Sequence, residues 1–438
     1  MNLLIVLGIV LTLCGRVITR RWYNPLSVYS FVWTFGLLMY SLQFLPFYEI
    51  TEKALVYILI GWLALLLGFT GTYVLFRDTF MRYIYSSFKI PTSCKLYAVI
   101  IIILTGISSI SILYSFISVI TIFGGIINVV NNLHGVFLLR ISGDLPSIPY
   151  LWSFALAASF YAGIYTSLKQ RINLVSLIPL ILIAINSIIG ASRIGMVMAL
   201  ILWVTPIVYL YGNVGKKKES KLIGRAVIIP FGIVLFIIML VSARRGLVSE
   251  FPGMHEILIA MRNYIPFFPS LYYYIAHPPV VFSESIRLGE HGLFPTGVFT
   301  FRWIFNVLSK LGIVDPPPSF GMLGQSTFPL IDVGVEFAPT GSWLRPFYID
   351  FGLLGILAFP LGIGMLLGFL AATISKRPNL IHLSLFAHLM IVVMLSFSWN
   401  VMQYGYWVQS LFMSLAIAAI LSMTHSRQYL KRQGGSLC

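Results

Sequence analysis

Apolar runs recur along this chain at lengths suited to crossing a bilayer. The short segments between them alternate between strongly basic and nearly neutral. Eleven such runs can be traced, at residues 2–15, 25–46, 54–76, 96–122, 148–167, 172–190, 195–212, 226–243, 347–375, 379–399 and 405–424. A helix of about 20 apolar residues matches the hydrocarbon thickness. Inside lipid every backbone polar group must be bonded within the protein, which favours helices. With 58% hydrophobic and only 10% charged residues over 438 positions, the sequence predicts an all-α polytopic membrane protein.

Charge then assigns sides. Lys and Arg collect in alternate connections: Arg16–Arg21, Arg77–Lys95, Lys169–Arg171, Lys216–Arg225, Lys376–Arg377 and a tail holding Arg427, Lys431 and Arg432. These segments carry 19 basic and 2 acidic residues, the remainder of the chain 10 and 11, so +17 lies on one side and −1 on the other. Positive charge marks the cytoplasmic face, which predicts an outer N-terminus and a cytoplasmic C-terminus. Arg16, Arg20 and Arg21 follow the first run rather than precede it, the reverse of a cleavable signal, so a retained first helix is expected. The overall +16 is therefore a topology signal with some attraction to anionic membrane lipid, and nucleic-acid binding is excluded. Cys14, Cys94 and Cys438 fall near the cytoplasmic side without the spacing of a disulfide framework or a zinc site. The expected plan is a bundle of eight helices over 1–243, a large outer segment over 244–346, three helices over 347–424 and a basic cytoplasmic tail over 425–438.

The outer segment 244–346 is about a hundred residues long, where loops usually have a handful. Seven basic residues face seven acidic ones within it, and aromatics and prolines run through it. It is expected to be partly helical, with one piece between Pro252 and Pro266 and another over Val298–Leu311 stopping at Gly312. The rest is expected to be ordered loop.

Several arginines stand on the outer side, where topology gives no reason for them. Arg193 lies in the tight turn Gly190-Ala191-Ser192-Arg193-Ile194-Gly195, and Arg244 and Arg245 end the eighth run as the large segment begins. Arg140 has Asp144 close by, and Arg345 leads into the ninth run. A fork of guanidinium donors at the water boundary suits a diphosphate; snorkelling to headgroups or pairing with nearby acids is the simpler use. Asp350 lies inside an apolar run and demands a partner, most simply Arg345 or another arginine. Glu336 and Asp332 are candidate general bases, though a loop carboxylate is more often structural. Trp303, Trp343 and Tyr272–Tyr274 offer rings for sugars or for packing. His382 and His388, within the tenth run, suit packing or interhelical hydrogen bonds. No Walker A, GxSxG, HExxH or CxxC motif occurs, and no outer Asp-x-Asp offers a metal clamp; Glu49 and Glu52 are spaced for a helix turn. No metal or other cofactor is expected.

The large outer segment before the last three runs, the Gly-Ala-Ser-Arg193 turn and Pro339-Thr340-Gly341-Ser342…Tyr348-Ile349-Asp350-Phe351-Gly352 together resemble the O-antigen polymerases of bacterial envelopes. The resemblance covers about residues 190–360; the arginine–glycine spacing of eleven found in some members is not present. It implies a GT-C-like architecture in the bacterial inner membrane, with the active site facing the periplasm. The implied activity is transfer of a growing glycan from an undecaprenyl-diphosphate carrier to a new undecaprenyl-diphosphate-linked oligosaccharide, with a chain-length regulator protein as a possible partner. Arg193, Arg244, Arg245, Arg345 and Arg140 would hold the diphosphate, and Glu336 or Asp332 would take the acceptor's proton. A ligase moving finished glycan to a lipid core would use similar arginines. A flippase would instead place charge at the membrane midplane.

Overall fold

The computed structural model describes residues 1–78, 90, 91, 93–132, 135, 136, 139, 144, 146, 148, 150–190, 193–211, 232, 253–265, 268–318, 341–376 and 378–434. Apart from one bridge residue at Phe47, regular structure among them is helical. In chain order the helices are α1 (Asn2–Thr19), α2 (Pro25–Ser41), α3 (Glu52–Asp78), α4 (Cys94–Phe123), α5 (Ile126–Asn131), α6 (Ser153–Lys169), α7 (Leu174–Ile189), α8 (Ile194–Tyr211), α9 (Glu256–Tyr264), α10 (Phe268–Ala276), α11 (Pro278–Arg287), α12 (Arg302–Lys310), α13 (Leu344–Lys376), α14 (Leu380–Leu395) and α15 (Gly405–Gly434). Among the described residues, five stretches are long and apolar enough to cross a membrane: α1, Glu52–Arg77, α4, α13 and Gly405–Thr424. Leu174–Ile189, Ile194–Leu210 and Leu380–Leu395 are shorter apolar helices. These features mark a multi-pass membrane protein. Apart from Gly232, the run at 226–243 lies outside the described residues.

The chain divides into two compact units. The first comprises Met1–Leu75, Val248–Phe369 and Val392–Gly405. Within it α1 packs on α2, with Gly15 against the Asn24 and Ser27 side chains. Asn24 caps α2 by accepting the Ser27 N–H at 2.9 Å. The α3–α13 contact is made by small residues: a Cβ on Gly68 would strike the Leu361 carbonyl, and one on Gly364 the Leu65 carbonyl. Close backbone approach of this kind replaces the missing hydrophobic drive between helices in lipid. Thr72 Oγ1 also donates to the Met365 carbonyl at 2.9 Å.

The second unit comprises Phe76–Leu247, Leu370–Ile391 and Tyr406–Cys438. Its α6 is buried from Ser153 to Ser167 save Phe154 and packs against α4, α7 and α8. Its small residues permit this, Gly163 lying under the Trp203 carbonyl. His388 is fully buried beside Phe160 and Trp407, with Nδ1 on the Ser384 carbonyl at 2.9 Å and Nε2 against Ser410 Oγ at 3.2 Å. The interhelical bonding expected of this histidine is present.

Two expectations for the outer segment need correction. It carries α10 and α11 as well as the two expected helices, because its prolines open helices rather than break them. Pro269 is the second residue of α10, and Pro278 and Pro279 begin α11. The first turn of a helix needs no amide donor, so a ring with fixed φ fits there. The last expected helix starts at Arg302 rather than Val298, because the Phe299 and Thr300 amides bond elsewhere, to Asp350.

Helices α9–α11 dock on the link between α2 and α3. Tyr40, Leu45 and Phe47 form one buried cluster with Leu258, Tyr272, Tyr273, Ala276, Val280 and Val281. Tyr272 donates to the Met39 carbonyl at 2.9 Å and accepts the Phe44 N–H at 3.0 Å. Thr51 N–H donates to Ser283 Oγ at 2.8 Å. The ring run Tyr272–Tyr273 thus packs the segment instead of offering open faces. Trp343 is likewise buried.

Candidate functional site

The most elaborate polar construction in the first unit surrounds a break in α13. Gly352 sits at φ 61 and ψ −142 inside that helix. Only glycine adopts such a backbone without strain. The eight residues Leu344–Phe351 therefore form a separate half-helix that folds against the longer part. Phe347 stacks on Phe359 at 4.5 Å, and a Cβ on Gly355 would strike the Phe347 carbonyl. The expected continuous helix over 347–375 is thus interrupted.

Breaking a helix frees backbone groups, and the connection between α11 and α12 supplies their partners. The Ile349 carbonyl accepts the Gly292 N–H at 3.2 Å and faces His291 Nδ1 at 3.3 Å. The His291 ring fills the space where a Cβ on Gly352 would lie. Asp350, expected to pair with Arg345 or another arginine, instead accepts the backbone amides of Phe299 at 3.2 Å and Thr300 at 2.6 Å. Two amide donors just ahead of α12 are a satisfactory anion site, reinforced by the partial positive charge at that helix start.

Arg345 finds its carboxylate on the same connection. Its Nη2 lies 3.0 and 3.1 Å from the two Glu290 oxygens and its Nε 3.2 Å from Oε2. Both side chains are almost wholly buried, 9% and 6% exposed. Ser285 Oγ donates to the same Glu290 oxygen. Glu290 therefore fixes the direction of the guanidinium by a bidentate fork. Tyr348 stands alongside, in ring contact with His291, Tyr57 and Phe282. At the end of α11, Arg287 bonds Glu284 at 2.8 Å, and that carboxylate raises its pKa. Arg302, the first residue of α12, is half-buried. Desolvation pushes its pKa down, opposed by the nearby Tyr404 hydroxyl.

Of the residues singled out in the sequence, Arg345 and Asp350 stand in this construction. Arg193 immediately precedes α8, in the second unit. Arg140, Arg244, Arg245, Asp332 and Glu336 lie outside the described residues, so the structure neither joins nor separates them. Glu290, Ser285 and His291 escaped the sequence reading. Arg345 lies 55 residues from Glu290, and no local pattern announces a partner at that distance. No group of three or more His, Cys, Asp or Glu side chains suited to a metal occurs among the described residues. No known protein family, curated protein or solved structure matches this chain.

Proposed function

We propose that this protein is a membrane glycosyltransferase that joins repeat units of a glycan carried on undecaprenyl diphosphate. In this reading eleven helices cross the bacterial inner membrane, the N-terminus and the segment 244–346 face the periplasm, and the architecture is GT-C-like. The observation that carries the proposal is the placement of arginines. Most basic residues collect in alternate connections, which the positive-inside rule assigns to the cytoplasm, while Arg140, Arg193, Arg244, Arg245 and Arg345 fall in the other connections, of which one is about a hundred residues long. A lipid-borne anion at the outer boundary gives those arginines a purpose. The ordered platform that α9–α11 make on the α2–α3 link, and the fork by which Glu290 aims Arg345, support a built site there.

The chemistry needs little else. An acceptor sugar hydroxyl attacks the anomeric carbon of the donor glycan, and the bond from that carbon to the diphosphate oxygen breaks. Guanidinium groups neutralise the charge that develops on the leaving diphosphate. A carboxylate such as Glu336 or Asp332 takes the proton of the attacking hydroxyl.

Alanine replacement of Arg193, Arg244 and Arg245, one at a time, tests the proposal in cells. The expected result is lipid-linked single repeat units in place of long chains. Long glycan accumulating on the carrier would instead indicate a ligase, and unaltered chain length in all three variants would end the proposal. Undiminished transport of labelled carrier across vesicles in the same variants, with chains still short, would favour a flippase.

A further inference from the structure

Helix α12 has no fully buried residue, yet its sequence divides cleanly between two faces. With 3.6 residues per turn, Arg302, Asn306, Ser309 and Lys310 gather on one side, and Trp303, Ile304, Val307, Leu308 and Leu311 on the other. Phe305, at the edge between the two, packs on the buried Val298, Phe299 and Ile349. Arg302 is half-buried near Tyr404. The protein thus holds α12 along one flank and leaves its apolar face bare. Val307 is 49% and Leu311 66% exposed, and Ile313 just beyond is 63% exposed. Lys310 is exposed on the polar face.

A helix divided in this way suits the boundary between lipid headgroups and acyl chains. Its place in the fold is an independent reason for putting it there. The Phe301 ring, which caps the start of α12, meets the Phe359 ring at 5.9 Å. Phe359 stands seven residues past the break at Gly352, so α12 begins about 10 Å along the longer part of α13 rather than beyond its end. At that level Leu353, Leu354 and Leu357 of α13 are exposed, the surface that a membrane-crossing helix turns to lipid. Trp303 supplies the kind of ring enriched at such boundaries. A second copy of the chain is a poorer occupant. Three exposed apolar side chains on so short a helix fall well below the roughly 800 Å² per partner that a stable protein interface buries.

We propose that α12 is an interfacial helix, with Val307, Leu311 and Ile313 sunk among lipid acyl chains and Asn306 and Lys310 turned to water. The Phe299 and Thr300 amides that receive Asp350 lie immediately before it. Lipid contact along α12 therefore sets the depth of the half-helix that carries Arg345. This goes beyond the glycan reading and stands without it, on whichever side of the membrane α12 lies.

Spin labels test it in the full chain, in nanodiscs of phosphatidylethanolamine and phosphatidylglycerol. Cys14, Cys94 and Cys438 are first replaced by serine, and labels are then attached in Asn306→Cys, Val307→Cys, Lys310→Cys and Leu311→Cys, one at a time. Collisions with oxygen, which concentrates in lipid, are compared with collisions with a water-soluble nickel chelate. The expected result is a depth parameter that changes sign along the helix, oxygen dominating at 307 and 311 and nickel at 306 and 310. Nickel dominating at 307 and 311 would place that face in water and overturn the proposal. Few collisions of either kind there would mean that protein covers the face, and would also overturn it; dipolar broadening between labels would identify a second copy. A lipid-borne diazirine, photolysed with the unsubstituted protein in the same nanodiscs, checks the answer without any replacement. Adducts at Val307 and Leu311 but not at Asn306 support the proposal, and their absence from both apolar positions refutes it.

Discussion

Removing Glu290 tests whether the aim of Arg345 is built by a desolvated ion pair. The two side chains are 9% and 6% exposed and meet through contacts of 3.0, 3.1 and 3.2 Å. In Glu290→Leu the guanidinium stays buried with its countercharge gone, which costs about 3–5 kcal/mol. Ser285 Oγ loses its carboxylate acceptor as well, for about a further 1 kcal/mol. The double variant Glu290→Leu/Arg345→Met buries two apolar side chains instead and should return to within about 1 kcal/mol of the parent. The cycle therefore carries a coupling of at least about 3 kcal/mol. The first unit holds roughly 200 residues, so the single variant, costing about 4–6 kcal/mol in all, should lower its melting midpoint by on the order of 8–24 °C, and the double variant by a few degrees at most. Melting in nanodiscs followed by near-ultraviolet circular dichroism reads both. A single variant melting within about 2 °C of the parent would show a pair that water already screens. A double variant as unstable as the two singles summed would show independent roles and refute the reasoning.

Gly352→Ala should cost about 2–3 kcal/mol or more, because φ 61 with ψ −142 excludes a side chain and the new Cβ meets the His291 ring at 2.9–3.2 Å; a melting midpoint equal to the parent's would contradict the helix break. Burial pushes the Tyr272 hydroxyl up to about 12, so the folded state holds the proton that the unfolded chain releases near its ordinary value of about 10. That stabilisation is complete below pH 10 and is lost as pH rises through 12; alkaline unfolding should steepen in this window, and less so in Tyr272→Phe. The same substitution should cost about 1–3 kcal/mol at neutral pH, chiefly by stranding the Phe44 amide, since the Met39 carbonyl keeps the Leu42 N–H.

The membrane character was legible because hydropathy is additive along the chain and needs no knowledge of tertiary contacts. The ends of α3, α4 and α7 fall within a few residues of their apolar runs for that reason. Three kinds of information were not legible. Pro269, Pro278 and Pro279 fall where ordered loop was expected, yet a proline's meaning depends on whether the helix lies behind or ahead of it. Gly352 is apolar and sits in an apolar run, so hydropathy passes over a backbone angle that divides the helix. The partners of Arg345 and Asp350 were misjudged or missed because proximity in sequence favours neighbours. The fold instead brings Glu290 to one and the Phe299 and Thr300 amides to the other. The assignment of arginines to an outer side rests on charge placement alone, which is a property of order along the chain.

Reconstitution gives the most direct test of the central claim, that outer arginines serve transfer of glycan between undecaprenyl diphosphate carriers. Purified protein in liposomes is supplied with lipid-diphosphate-linked repeat units, with and without a chelator, and the products are resolved by size. The account predicts a ladder of lipid-linked glycans of increasing length, undiminished by the chelator and lost in Arg193→Ala. Units left at their original length by the intact protein, or a ladder that the chelator abolishes, would contradict it.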